Sequence, residues 1–257
     1  MEGKKQVIQQ FGKNAENYVT SHIHAKGEDL QKLTEIIRAC NPSGELLDIA
    51  TGGGHVANAL SPYFQQVVAL DLTPEMIEKA KDFLRSNGVK NVAFVQGDAE
   101  NLPFPDESIG TITCRIAAHH FSNVEQFVRD VYRVLKSNGL FILIDNVTPE
   151  NDGYDHFYNL VERQRDPSHV RAYKKSEWLT KLETSGFFIE ELHTFRKKFV
   201  FNKWCDMMGV TQDRRQELSK MFLSSSLEQQ KYFSIVHDHQ SVESFQGQSM
   251  LVVARKG

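Results

Sequence analysis

The sequence predicts an α/β fold: a doubly wound, Rossmann-like sheet with helices on both faces. Three observations carry this. Short apolar runs recur through the first 145 residues, each apolar along its length, as strands covered on both faces require. Longer amphipathic segments lie between them, and strand–helix alternation at this spacing gives a parallel sheet with right-handed crossovers. The first run also empties into three glycines that open a helix.

The strands are E-L-L-D-I-A (45–50), Q-V-V-A-L-D (66–71), N-V-A-F-V-Q (91–96), I-G-T-I-T-C-R (109–115) and G-L-F-I-L-I-D (139–145). A helix follows the glycines at 54–62. The next, 73–86, has Thr73 as N-cap and Pro74 at its first position, with Met76, Ile77, Ala80 and Leu84 on one face. The segment 124–136 repeats the pattern until Ser-Asn-Gly closes it. Beyond Asp145 the texture changes. Residues 150–172 are polar and histidine-rich, 175–186 reads as a helix with a glycine stop, and F-F-I-E-E-L-H-T-F and F-V-F are strand material. A last strand is expected at 248–256. The helical pattern at about 203–237 reads as an insertion, a cap lying over the sheet edge. The expected organisation is one domain over 1–257. Its parts are an N-terminal helical lid (1–40), a cofactor-binding core (41–145) and an acceptor-side half (146–257).

Composition narrows the function classes. The 40% hydrophobic and 25% charged fractions are those of an ordinary globular protein. A net charge of -3 gives no reason to expect a polyanion, so no nucleic-acid partner is expected. The start lacks the apolar core of a signal peptide, and no apolar stretch can span a bilayer, so no membrane insertion is expected. Cys40, Cys114 and Cys205 are odd in number and widely spaced, which suits a reducing compartment better than a disulfide framework or a zinc site. A cytoplasmic protein is expected; monomer and homodimer are both compatible with the sequence.

The most informative segment is L-L-D-I-A-T-G-G-G-H-V-A-N-A-L, Leu46 to Leu60. It places backbone N–H groups and a helix N-terminus at the sheet's carboxyl edge. Gly52, Gly53, Gly54 and Ala57 satisfy G-x-G-x-x-G/A, a weak signal alone. Asp71 ends the second strand, where an acid can accept ribose hydroxyls, and turns the reading toward a nucleoside ligand. The two candidates are a nicotinamide dinucleotide and S-adenosylmethionine. Asp48, just before the glycines, would repel a pyrophosphate but attract a sulfonium or ammonium; it can also cap the loop's own N–H groups. This favours S-adenosylmethionine. After the third strand, Asp98 and the Ala99 N–H suit an adenine edge, within a loop that alone would be an ordinary turn.

D-I-A-T-G-G-G-H, A-L-D-L-T-P-E-M, G-D-A-E-N-L-P-F-P-D, C-R-I-A-A-H-H-F and R-V-L-K-S-N-G together resemble the successive motifs of class I S-adenosylmethionine-dependent methyltransferases. The branch resembled contains the ubiquinone/menaquinone-biosynthesis methyltransferases, and the likeness covers about 46–145. D-P-S-H-V-R-A-Y followed by E-W, at 166–178, resembles a little-characterised bacterial subgroup of that branch. The resemblance implies a seven-stranded sheet in order 3-2-1-4-5-7-6 with the last strand antiparallel. It puts Asp48, Ala50 and Gly52 to Gly54 at the methionine part of the cofactor, and Asp71 with Leu72 at the ribose. Met76 would pack near the adenine, Asp98 and Ala99 on its edge, and Arg115 would line the sulfonium side. Gly53 stands where many relatives have threonine, and Ser-Asn-Gly replaces Pro-Gly-Gly at 137–139.

Methyl transfer from a sulfonium depends on orientation and an electron-rich acceptor, and a base is needed only when the acceptor must lose a proton. No metal is expected. His119 and His120 follow the fourth strand, whose end faces the ligand crevice. Neighbouring side chains diverge, so at most one is expected to face the acceptor as base or positioning group. Capping and packing is the other reading. Tyr18 and His22, four apart, would share a helical face and either close over the cofactor or pack on the domain. Arg165, His169 and Arg171 are candidates to hold an anionic acceptor, or simply a solvated helix face. The expected activity is methyl transfer from S-adenosylmethionine to a small-molecule acceptor, a quinol-like or other aromatic compound. The alternatives are a nicotinamide-dependent oxidoreductase and an inactive module that only binds the cofactor.

Overall fold

Each of the five apolar runs folds as a strand in the computed structural model, which describes residues 2–19, 27–42, 44–238 and 240–257. Helices α1 (Glu2–Val19) and α2 (Glu28–Cys40) precede β1 (Glu45–Ile49). The chain continues through α3 (His55–Leu60), β2 (Gln66–Asp71), α4 (Pro74–Ser86), β3 (Val92–Gln96), β4 (Ile109–Arg115), α5 (Val124–Val134) and β5 (Leu135–Thr148). The second half holds α6 (Asp152–Arg165), β6 (Tyr173–Lys174), α7 (Lys175–Thr184), β7 (Phe187–Val200), α8 (Phe201–Met207), α9 (Gln212–Leu223), α10 (Leu227–Tyr232), β8 (Val236–His237) and β9 (Val242–Lys256).

The long strands lie in the order β3-β2-β1-β4-β5-β9-β7, with β9 antiparallel to both of its neighbours. Counted by those seven strands, this is the expected order; the short β6 beside β5 and β8 beside β9 bring the sheet to nine. From β1 the sheet grows toward β2 on one side and β4 on the other. Their carboxyl ends therefore part at β1, which opens a crevice.

The continuous apolarity of the strands is explained by two covered faces. Leu47, Ile112, Phe141 and Leu143 pack against α5 and α7 through Phe127, Val131 and Trp178. Leu46, Ala69, Ile142 and Ile144 pack on the other face against Leu33 and Ile37 of α2 and Leu60 and Leu84 of α3 and α4. Truncating Phe141 to alanine at the first face would cost about 3–5 kcal/mol. A third cluster joins Trp204, Cys205, Leu218 and Phe222 of α8 and α9 to Val161 of α6 and Phe245 of β9.

Several elements differ from the sequence reading: β5 begins at Leu135, inside the expected helix 124–136, and β9 begins at Val242 rather than 248. The strand material at 187–200 is one strand, β7, with a register shift between Ile189 and Glu191. It continues through Arg196, Lys197 and Lys198 because it pairs with β9 from Phe187↔Lys256 to Val200↔Ser244, and Phe201 opens α8 instead. The polar segment after residue 150 contains α6, capped by the Asn151 side chain accepting from the Tyr154 N–H. Its apolar residues are spaced to meet α9 rather than the sheet alone, which hides the usual helical stripe.

Candidate active site

At the crevice the β1–α3 loop is held by side chains of its own strands. Asp48 is buried at the end of β1 and accepts from the Thr51 hydroxyl (2.6 Å) and the Thr113 hydroxyl (2.9 Å). Burial pushes its pKa up to about 6, against those two bonds. Asp71 at the end of β2 accepts from the Gly52 N–H (2.8 Å) and the Thr73 N–H (2.9 Å), and burial raises its pKa as well. Ala50 and Ile116, just past β1 and β4, have φ of 53° and 55°, and both line the crevice. For β-branched Ile116 this is a strained conformation, the kind that persists at functional sites.

These residues enclose a cavity of about 120 Å³ walled by Asp48, Ala50, Gly52, Gly53, Asp71, Leu72, Met76, Asp98, Ala99 and Arg115. Helix α1 supplies the facing wall with Lys4, Val7 and Phe11, and Lys4 pairs with Asp98 and Glu100. Arg115 is paired with Asp29 of α2 (2.9 Å), which also holds Lys197 of β7 (3.3 Å). Burial alone would raise the Asp29 pKa, but Lys197 and Arg115 hold it at about 2. Gly54 is not among the wall residues. With φ of 81° and only 3.2 Å between an added Cβ and Ala80 Cβ, it lets α3 approach α4 closely.

Beside this cavity lies a second of about 540 Å³, and the two share Phe11, Ile116 and His120 as wall residues. Its floor is a histidine cluster. Ala118–His120 forms a 3-10 turn because Asp145, at the end of the apolar run in β5, accepts from the His119 N–H (2.8 Å). The other Asp145 oxygen is 2.6 Å from His119 Nδ1, which fixes Nδ1 as the protonated nitrogen. His119 Nε2 has no hydrogen-bond partner among the described residues. Burial works against a charged His119, but Asp145 outweighs it and raises the pKa. His120 Nδ1 donates to the Ser168 carbonyl (3.0 Å); burial and the neighbouring His119 lower its pKa to about 4. His169 Nε2 donates to Asn159 Oδ1 (2.9 Å), and burial lowers its pKa to about 2. The segment after α6 is docked here by the Val170 and Arg171 N–H groups, both bonding to the His119 carbonyl. The arrangement is one imidazole backed by a carboxylate among two neutral ones, at the junction of two cavities.

The methyltransferase domain family matches residues 47–143. The uncharacterized methyltransferase YcgJ of Bacillus subtilis is 42% identical over 208 residues, 81% of this chain and 82% of its own length. A crystal structure of a methyltransferase candidate from Bacillus halodurans C-125 is 52% identical with a TM-score of 0.86, covering 90% of this chain and 99% of that one. A demethylmenaquinone methyltransferase of Thermotoga maritima is 33% identical over 200 residues, 75% of this chain and 78% of its length. The chain belongs to the S-adenosylmethionine-dependent methyltransferases. The nicotinamide alternative falls with that finding.

In this methyltransferase the structure brings together, at the first cavity, all the sequence-selected cofactor residues from Asp48 to Arg115 except Gly54. Of the N-terminal pair, Tyr18 lies on α1 with its side chain outside the described residues, and His22 lies outside them entirely. His119 and His120 both line the second cavity, because a 3-10 turn rather than an α-helix or strand carries them. Arg165 and His169 also line it, whereas Arg171 bonds to Asp155 and Glu177 and lies outside both cavities. Asp29, Asp145, Lys197, Phe11 and Lys4 went unselected. Of these only Asp145, a carboxylate closing an apolar strand run, carried a sequence signal. No helix among the described residues is long and apolar enough to cross a membrane.

Proposed function

We propose that this chain transfers a methyl group to a small-molecule acceptor, a quinol-like or other aromatic compound, held in the larger cavity and deprotonated by His119. The observation that carries this is the Asp145–His119 pair, whose free Nε2 belongs to a cavity sharing wall residues with the cofactor crevice. The kinship with a demethylmenaquinone methyltransferase supports the quinol-like class.

The crevice suits S-adenosylmethionine: Asp71 and the Gly52–Gly53 backbone meet its sugar and amino-acid parts, and Asp98 with Ala99 meets the adenine. The bound cofactor supplies an electrophilic methyl, and its sulfur keeps the electrons of the broken C–S bond. The buried Asp48 carboxylate favours a cation nearby, while Asp29, shared between Arg115 and Lys197, offsets part of the Arg115 charge that would oppose one. Asp145 holds the His119 ring with Nδ1 protonated and stabilises the imidazolium that forms when Nε2 takes the acceptor proton. Phe11, Ile116 and the neutral His120 exclude water between the cavities.

The test has two stages. Calorimetry should show binding of S-adenosylmethionine and its demethylated product, and none of NAD. Label from the cofactor methyl should then enter small quinols or phenols with the parent protein, and not with His119→Ala or His119→Gln. Both variants should still bind the cofactor. Equal label incorporation by these variants would remove His119 as base.

A further inference from the structure

We infer that the acceptor is an amphipathic anion, an aromatic or similarly flat apolar body carrying a carboxylate- or phosphate-type group that rests against Lys198 and Lys203. The inference rests on the reading of the larger cavity as the acceptor chamber. It names the chemistry of that acceptor from the charges and surfaces of the chamber.

The buried charged groups of the chamber have hydrogen-bond or ion-pair partners within the protein. Glu162 bonds to Arg165 (3.1 Å), and the same guanidinium donates to the Trp204 carbonyl and lies over the Trp204 ring. Lys197 is held by Asp29. Asp166 accepts from the Ser168 N–H and hydroxyl. Lys198, near the end of β7, and Lys203, in the first turn of α8, are different. Both are exposed wall residues, and neither has a hydrogen bond or ion pair among the described residues. The acid closest in sequence to Lys203, Asp206, is already bonded to Arg215 (2.6 Å). The mouth of the chamber therefore carries two uncompensated ammonium groups.

Isolated surface lysines are ordinary. These two flank a chamber of about 540 Å³ whose apolar walls include Phe11, Phe199, Trp204 and Met207 and whose floor holds the Asp145–His119 pair. A cationic acceptor would meet repulsion at the mouth, and a wholly apolar one would leave both lysines unanswered. An acceptor with a ring in the aromatic walls, an ionisable O–H or C–H at His119 and an anion at the mouth satisfies all three.

The experiment uses the full chain, cofactor labelled in its methyl group, and a protein-free bacterial extract sorted by charge on ion-exchange media before incubation. Label is expected from the anionic fraction. Lys198→Gln/Lys203→Gln should reduce its incorporation at least tenfold, mainly through KM, with cofactor affinity unchanged in calorimetry. Lys198→Arg/Lys203→Arg should restore most of it. Label appearing only from neutral or cationic fractions, or an unaffected glutamine variant, overturns the anionic class while leaving methyl transfer standing. No label from any fraction overturns the transferase reading and this inference with it.

Discussion

Replacing Asp48 with asparagine separates the work this carboxylate does from the stability it costs. Its folded-state pKa is about 6 against an ordinary value of 3.8, because burial disfavours the charged form. For an acid with a raised folded-state pKa, the unfolded chain gives up its proton first as pH rises. The folded state therefore loses ground between about pH 4 and pH 6 and carries the whole penalty above that. Roughly two pKa units correspond to about 3 kcal/mol. Asparagine carries no charge, and the Thr51 and Thr113 hydroxyls, which now donate to Asp48, can rotate to accept from its amide. Without cofactor, Asp48→Asn should thus match the parent near pH 4 and exceed it by up to about 3 kcal/mol at pH 8, a rise of roughly 6–12 °C in Tm. Paired urea titrations across that range measure the difference, and calorimetry should show weakened S-adenosylmethionine binding. A variant less stable than the parent at pH 8, or a difference that does not grow with pH, would refute the reasoning.

Three further outcomes follow from the geometry. Gly54→Ala should cost about 1–3 kcal/mol and Gly52→Ala about 1, because only at Gly54 does a positive φ coincide with a tight contact on Ala80; denaturation midpoints compare them. Methyl transfer should rise with pH through a limb above 6.5, since the base must be neutral and Asp145 raises the His119 pKa; in Asp145→Asn the limb should move to lower pH and the plateau fall. A limb unmoved by Asp145→Asn would assign it to another group. Lys4→Ala should change stability by less than about 1 kcal/mol yet bind S-adenosylmethionine several-fold more tightly, because it frees Asp98; weaker binding would show that Lys4 supports the site instead.

The sheet was legible because parallel strands covered on both faces leave unbroken apolar runs such as Val67 to Leu70 and Phe141 to Ile144, alternating with longer amphipathic segments. The crevice at the carboxyl ends of β1 and β2 was legible because its residues sit at the ends of those runs. The second cavity was not. Phe11 and Met207 meet in one wall from opposite ends of the chain, and the bond between Lys197 and Asp29 spans 168 positions. The histidine pair could be placed but not oriented, since a 3-10 turn held by the Asp145 carboxylate has no periodicity to announce it. The continuation of β7 through Arg196 to Lys198 is set by its partner β9, not by its own residues.

Phe11 of α1 belongs to the walls of both cavities, and Lys4, two turns away on the same helix, fastens that helix to Asp98 and Glu100. A single rigid rod thus roofs two compartments. Any displacement of α1 would open both at once, so this helix cannot gate them separately. If such a displacement limits turnover, the first turnover appears as a burst, and raising solvent viscosity slows the steady state without touching the burst.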